Sequence, residues 1–262
     1  MNTSEHPQGN VTLERDSDVA IVTLDRAAAH NAMSIRMIQQ LDAISLELRE
    51  DPDLRAVVVT GAGDRAFSAG GDLGELIPRL TAGELEILIP EPTQRFFSEL
   101  YVPVVAAVNG LCLAGGLELL LGTDIRVASE DAVFGLPEVK WGLIPGGGSH
   151  VRLPQQVGWA AAMHLLLTGE SIDAGNALRI GLVGEVVPAS QARDRALKLA
   201  HMIAANAPVA VRTAKEIAVR ALGNEPRFEL ETRLNRRVLA TRDAQEGPAA
   251  FMERRRPRYH NE

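Results

Sequence analysis

The chain has 262 residues, of which 27 are Lys or Arg and 34 are Asp or Glu, giving a formal net charge of −7. Hydrophobic residues make up 46% and charged residues 23%, a balance typical of globular proteins rather than disordered ones. The acidic balance argues against broad binding to a nucleic-acid backbone, which needs a basic surface. The single cysteine, Cys112, excludes an internal disulfide framework and a cysteine-based zinc site.

The first third of the chain alternates between strand and helix patterns. Residues 1–10 lack the apolar core of a secretory signal, and we expect a disordered lead-in there. Short β-branched runs predict strands, and an apolar repeat at helical spacing, behind a Ser34 cap, predicts a helix. In chain order these are a hairpin, a helix and a buried strand, over residues 11–15 with 19–24, 34–50 and 56–60.

The middle of the chain repeats this alternation. It predicts a short helix, a strand, a helix and a strand at residues 92–100, 104–108, 115–121 and 125–128. Repeated alternation favours an α/β fold with parallel strands. The apolar, irregular stretch 76–89 is interpreted as a flap over a site.

One apolar stretch, 102–121, is about as long as a membrane crossing. It contains Glu118, Asn109 and several glycines, which are unfavourable inside a bilayer. The composition therefore favours a buried strand, a turn and a buried helix over a transmembrane segment.

After about Pro188 the pattern becomes helical, with no strand signal. Helices are predicted over residues 190–206, 208–222, 225–241 and 247–256. Short helices are marginal alone, so we expect them to pack on the core or on another subunit. This divides the chain into an α/β core over residues 11–189 and a helical region over 190–262.

Two glycine-bearing segments, 66–73 and 109–118, each follow an apolar strand. Backbone N–H groups left free at a strand end or a helix start can bind an anion or a developing oxyanion. Neither segment has the spacing of a phosphate-binding loop or a dinucleotide fingerprint. Ordinary turns and close packing are the alternative interpretation.

Two carboxylates occupy apolar surroundings, Glu118 in the predicted helix and Glu138 in a Pro-containing turn. Burial and mutual repulsion suit such a pair to general acid/base chemistry. The alternative is a structural role as partners of Arg126 or Arg152. His150 is more typical of a surface or capping histidine than of a site residue.

Taken together, these motifs resemble the enoyl-CoA hydratase/isomerase (crotonase) family, and most of all an enoyl-CoA hydratase. The resemblance covers almost the whole chain and is densest at residues 66–73, 109–118 and 134–148. It implies a spiral of strand–strand–helix turns followed by C-terminal helices that form trimers, often paired as hexamers. The change to helical patterns near Pro188 agrees with that organisation.

The resemblance also implies a reaction, the hydration of 2-enoyl-CoA thioesters to 3-hydroxyacyl-CoA. Gly71 and Gly115 would form an oxyanion hole, Glu118 would activate water, and Glu138 would deliver a proton to the α-carbon. No metal or cofactor is implied, because coenzyme A is part of the substrate. Further substrate contacts are implied at Ala69, Asp72, Leu73, Gly146 and Arg254.

Other reactions on the same scaffold stay open, namely double-bond isomerisation or dehydration of a polar acyl-CoA of the carnitinyl type. A non-catalytic assembly or RNA-binding member is a third alternative, against which the glutamate pair and the acidic charge count. Ala27 and the Ser149–His150 pair depart from the family pattern, as does the lack of a lysine after Leu73, and His150 is a candidate for altering specificity. We expect no nucleic-acid or membrane partner and, from the absence of a signal and a span, a cytoplasmic location.

Overall fold

The computed structural model describes residues 8–260 and contains two β-sheets with helices on their faces. The strands are β1 Asn10–Asp16, β2 Val19–Asp25, β3 Ala56–Gly61, β4 Ala66–Ser68, β5 Val104–Val108, β6 Leu111–Leu113, β7 Ile125–Ser129, β8 Val133–Gly135, β9 Ser171–Asp173 and β10 Glu185–Val187. The helices are α1 Ile35–Glu50, α2 Leu73–Thr81, α3 Gly115–Leu120, α4 Ser149–Val157, α5 Trp159–Thr168, α6 Ala174–Arg179, α7 Ala192–Ala204, α8 Pro208–Leu222, α9 Glu225–Leu239 and α10 Asp243–Met252. Short 3₁₀ helices cover Ala27–Ala29, Leu85–Ile87 and Pro137–Trp141.

The two sheets advance together along the chain. The larger sheet has the order β1-β2-β3-β5-β7-β10, and the smaller has the order β4-β6-β8-β9. Strands β3, β5 and β7 are parallel neighbours in one sheet, and β4, β6 and β8 are parallel neighbours in the other. The consecutive strands β3 and β4, β5 and β6, and β7 and β8 therefore each extend both sheets by one strand. This is the α/β spiral of strand–strand–helix turns that the sequence resemblance implied.

The strands form where β-branched residues are buried on both faces. On β5, Val104, Ala106 and Val108 face the main core, while Val105 and Ala107 face a second apolar layer. Helix α7 forms that layer through alanines at four-residue spacing, Ala192, Ala196 and Ala200. Small side chains on one helix face allow the helix to lie close against the sheet.

The C-terminal helices are placed as the sequence predicted, although α10 begins earlier, at Asp243. Helix α9 buries one face and packs against α4 and α10. Helix α8 buries none of its fifteen residues in the single chain, and Val209 is 77% exposed.

Some sequence expectations are corrected by the structure. The helix expected at 92–100 is wrong. This segment forms successive turns, because Phe97 and Glu99 adopt positive φ angles of 57° and 62° that an α-helix does not contain. The stretch 76–89 is helical rather than irregular, since α2 runs to Thr81 and a 3₁₀ helix follows.

Two further expectations concern residues 1–10 and the apolar stretch 102–121. The disordered lead-in expected over residues 1–10 falls mostly outside the described residues, and β1 begins at Asn10. The stretch 102–121 forms β5, β6 and α3, as its composition favoured. Among the described helices, none has the length and apolarity needed to cross a membrane.

Candidate active site

The candidate site is a cavity at the carboxyl ends of the parallel strands β4, β6 and β8. Because these strands are neighbours, the loops that follow them meet at one edge of the sheet. The loop after β4 supplies Gly71, the turn after β6 supplies Gly115 and α3, and the 3₁₀ helix after β8 supplies Glu138. The structure thus brings together four of the residues predicted from the sequence, Glu118, Glu138, Gly71 and Gly115, in the lining of a single cavity.

Glu118 is buried in α3 and held in place by the loop before α4. The backbone N–H of Gly147 donates a hydrogen bond of 2.6 Å to its Oε1, and the Ser149 hydroxyl lies 3.4 Å from the same oxygen. A Cβ on Gly147 would lie 2.8 Å from Oε2, so this close approach requires glycine. Burial, followed by the negative charge of Glu231, raises the pKa of Glu118 to about 7.

Glu138 lines the same cavity with a carboxyl oxygen that has no protein partner. Its Oε2 is buried and makes no hydrogen bond within the described residues. Burial, and then repulsion from Glu118, raises the pKa of Glu138 well above its ordinary value. Because the two carboxyls repel each other, the ionisation of one raises the pKa of the other.

The alternative structural role for the glutamates is not supported. Arg126 donates to backbone oxygens and to the side chains of Thr123 and Gln156. Arg152 donates to the backbone oxygen of Phe96 and to Ser98. Within residues 8–260, neither arginine bonds to Glu118 or Glu138, so the two carboxyls remain available to a ligand.

Two glycine backbone nitrogens, those of Gly71 and Gly115, belong to residues that lie close together in the cavity lining. A Cβ on Gly115 would lie 3.5 Å from the Gly71 nitrogen, which shows how closely the two glycines approach. Among the described residues, neither N–H donates to a protein acceptor. Ala114, just before Gly115, has φ 49° and ψ −126°, a strained conformation for a residue with a Cβ. Two unused donors beside a strained residue are typical of a site that binds developing negative charge.

Behind Glu118 lies a network of charged groups that links α9 to the site. Glu231 accepts from the Arg95 guanidinium at 3.1 and 3.0 Å. Its other oxygen lies 3.1 Å from His150 Nδ1 and accepts the His150 backbone N–H at 3.2 Å. His150 is thus tied to α9 and does not line the cavity.

The enoyl-CoA hydratase/isomerase family model matches residues 14–262. The chain belongs to this family. An enoyl-CoA hydratase of Mycobacterium tuberculosis is 41% identical over 261 residues, covering 95% of this chain and 96% of that protein. A short-chain-enoyl-CoA hydratase of Clostridium acetobutylicum is 37% identical, covering 94% of this chain and 96% of that protein. The crystal structure of a carnitinyl-CoA hydratase from Mycobacterium avium matches with a TM-score of 0.87 and 39% identity, over 97% of this chain and 99% of that one.

The remaining residues that the family resemblance suggested are placed differently. Leu73 and Gly146 line the cavity, whereas Ala69 and Asp72 do not. Asp72 caps α2 by accepting the N–H groups that open the helix, and it pairs with Arg26 at 2.6 Å. Arg254 is exposed beyond the end of α10, away from the cavity lining of this chain.

Sequence reasoning missed several cavity residues, among them Gly147, Asn235 and Leu239. The N–H that binds Glu118 belongs to Gly147, one residue beyond Gly146. Asn235 and Leu239 of α9 also line the cavity, far along the chain from the other walls. A polar residue on the apolar face of the α9 pattern was the available signal. Among the described residues, no group of three or more His, Cys, Asp or Glu side chains is placed to hold a metal.

Proposed function

We propose that the protein is an enoyl-CoA hydratase that adds water to 2-enoyl-CoA thioesters and forms 3-hydroxyacyl-CoA. The observation that carries this proposal is the pair Glu118, which is buried, and Glu138, which is half-buried with an enclosed Oε2; both are free of arginine partners and line one apolar cavity. The names of the M. tuberculosis and C. acetobutylicum relatives support the same activity. Two acids at one site suit a reaction that moves one proton from water and another to carbon.

In this proposal the thioester carbonyl oxygen accepts hydrogen bonds from the Gly71 and Gly115 N–H groups. Those donors stabilise the enolate that forms when water attacks the β-carbon, because their dipoles are fixed before the reaction. The approach of the two glycines and their unused N–H groups support this assignment.

Glu118 is assigned as the base and Glu138 as the acid. The short bond from Gly147 favours the ionised form of Glu118, while Glu138 has no donor beside its buried oxygen and keeps its proton. Glu118 removes a proton from water as the C–O bond forms at the β-carbon. Glu138, which also holds the water, then gives its proton to the α-carbon. Proton exchange between the two carboxyls and solvent restores the starting state.

We further propose where the rest of the substrate lies. Leu73 and Gly146 contact the acyl part, since both line the cavity. Ala69 and Asp72 border its entrance, and Arg254 contacts a coenzyme A phosphate in a neighbouring subunit. The chemistry draws on protein groups alone, with coenzyme A serving as the handle of the substrate.

A homotrimer, or a hexamer of paired trimers, is part of the proposal. The unburied helix α8 supports it, because a helix with Val209 and Ile217 exposed by 77% and 65% has an apolar face that another chain can cover. A cytoplasmic location stays a prediction from the sequence.

Dehydration of a polar 3-hydroxyacyl-CoA is the second candidate. Dehydration uses the same proton transfers in the reverse direction, so Glu118 and Glu138 can catalyse it equally well. The similarity to a carnitinyl-CoA hydratase structure favours this candidate over isomerisation.

The test is hydration of crotonyl-CoA, followed through the ultraviolet absorbance of the conjugated thioester. We expect rapid loss of absorbance with the wild-type protein. Glu118→Gln and Glu138→Gln should each lower kcat by about 10² or more, as loss of a general base or acid does. Both variants should retain acyl-CoA binding, and Glu47→Gln, an exposed change on α1, is the control. Unchanged turnover in either variant would refute the role assigned to that glutamate.

A further inference from the structure

Asn235 lies on the face of α9 that covers the cavity. It is 4% exposed, and Glu231 and Leu239 lie one turn before and after it on the same buried face. Glu231 is held by Arg95 and His150, so the position of α9 over the cavity is fixed. The Asn235 side chain therefore has a defined place in the wall.

The Asn235 amide has no protein partner. It makes no hydrogen bond to any of residues 8–260, and within the described cavity lining the only other polar side chains are Glu118 and Glu138. The rest of that lining consists of large apolar residues, glycine, alanine and proline. The Asn235 amide is not among the fully enclosed polar atoms that lack a partner, so it opens onto the cavity, where a ligand can complete its hydrogen bonds.

The amide lies close to the reacting groups. A Cβ on Gly146 would lie 2.6 Å from Asn235 Nδ2, and the next residue, Gly147, donates to Glu118. Asn235 and Glu118 line the same cavity, so an acyl chain bound in that cavity can reach the amide.

We propose that Asn235 is a specificity residue that recognises a neutral oxygen on the acyl chain, a hydroxyl or carbonyl a few carbons beyond the double bond. This rests on the proposed function and narrows it to acyl-CoA thioesters with a polar, uncharged chain. An amide offers an NH2 group as donor and a carbonyl oxygen as acceptor, without net charge. Within the described lining no Lys, Arg or His side chain is placed to balance a carboxylate on the substrate.

The contrast with Asn224 supports a ligand role. Asn224, at the start of α9, is also buried, but its amide exchanges hydrogen bonds of 2.8 and 3.2 Å with Gln155. An asparagine that serves the fold is therefore paired within the protein. Asn224 provides a matched control on the same helix.

The test is equilibrium binding of hexanoyl-CoA and of its 4-hydroxy and 5-hydroxy derivatives, measured by titration calorimetry. We expect the wild type to bind one hydroxy derivative at least about tenfold more tightly than hexanoyl-CoA, since a buried amide then gains its partner. Asn235→Leu and Asn235→Ala should lose this preference, and Asn224→Leu should keep it. Two different substitutions are made at Asn235 so that a folding defect in one variant does not decide the result.

Equal binding of the three ligands by the wild type would overturn the proposal. So would a preference that persists in both Asn235 variants, because the amide would then not be its source. Binding does not depend on turnover, so failure of crotonyl-CoA hydration with this binding preference intact would refute the hydratase proposal alone.

Discussion

At the scale of single residues, the carboxyl of Glu118 lies among charges of both signs. Burial and Glu231 raise its pKa, and the Gly147 N–H, His150 and Arg95 lower it, with Glu138 coupled to it on the cavity side. A raised pKa means that Glu118 keeps its proton to higher pH than an ordinary glutamate. The base form is therefore gained as pH rises toward and through about 7.

This predicts the acid limb of the pH–rate profile. We expect kcat/KM for hydration to rise with pH and to reach half its plateau near pH 7, as Glu118 loses its proton. Glu231→Gln removes the charge that raises this pKa, so the midpoint should move to lower pH. Glu229→Gln, an exposed change on the same helix, should leave it in place. A midpoint unmoved by Glu231→Gln would show that the two carboxylates do not interact.

The sequence revealed the two glutamates because a carboxylate in an apolar run is conspicuous without a structure. It did not reveal Asn235 or the pairing of His150 with Glu231, because these contacts join α9 to loops 81 or more residues away. Spacing along the chain carries no information about such contacts. The hydrogen bond from the Gly147 N–H to Glu118 was not predicted, since only geometry decides which N–H points at that carboxylate.

At the scale of elements, the turns at 92–100 are joined to α9 by a buried ion pair. Arg95 and Glu231 have side chains that are 2% and 3% exposed. Arg95 also donates to Thr232 and to the backbone oxygens of Phe228, Pro92 and Gln94. Acceptors on both the 92–100 turns and α9 bind the N–H groups of the Arg95 guanidinium, so Arg95 fixes α9 against the wall of the cavity.

Breaking this pair should destabilise the protein strongly. Arg95→Leu leaves the buried Glu231 without its arginine partner, and we expect a loss of about 3–5 kcal/mol in the free energy of unfolding. The double variant Arg95→Leu/Glu231→Leu should be less destabilised than the sum of the single variants. Arg79→Leu, which breaks the exposed pair with Glu84, should cost about 1 kcal/mol or less. Denaturant unfolding of the four variants measures this, and equal losses for Arg95→Leu and Arg79→Leu would contradict it.

Several of the long elements were predictable, and the three-residue strands were not. Strands β2, β3 and β5 are buried β-branched runs, and α1 has a capping Ser34 whose hydroxyl accepts the Met37 N–H. The four strands of the smaller sheet have three residues each, too few to establish a period of two. The apolar spacing at 92–100 is typical of a helix, but the segment forms turns. Arg95 holds these turns by donating to the backbone oxygens of Pro92 and Gln94.

At the scale of the whole molecule, several large apolar side chains remain exposed on the later helices. Trp159 and Leu167 on α5 are each 72% exposed, and Val209 and Ile217 lie on one face of α8. A single chain with such surfaces is typical of a subunit. The proposed trimer or hexamer would bury them.

The assembly is testable by sedimentation velocity. We expect the wild type to sediment with a mass three or six times that of one chain. Val209→Glu combined with Ile217→Glu should shift the protein to smaller species, because charges then replace the apolar face of α8. Leu46→Glu, a change at an exposed leucine on α1, should leave the mass unchanged. A monomeric wild type would refute the proposed assembly.

The place of α9 in the chain has a consequence for synthesis. The sheets are complete by Val187, and the cavity walls from Gly71 to Gly147 precede that point. Asn235 and Leu239 are translated nearly fifty residues later. During that interval the apolar cavity of the nascent chain is open on one side, and Arg95 lacks its ion-pair partner Glu231. Domains fold as they leave the ribosome, and exposed apolar surface at that stage promotes aggregation. The cavity closes only when α9, which carries Asn235 and Leu239, has been synthesised. The nascent core therefore depends on prompt synthesis of α9 or on chaperones.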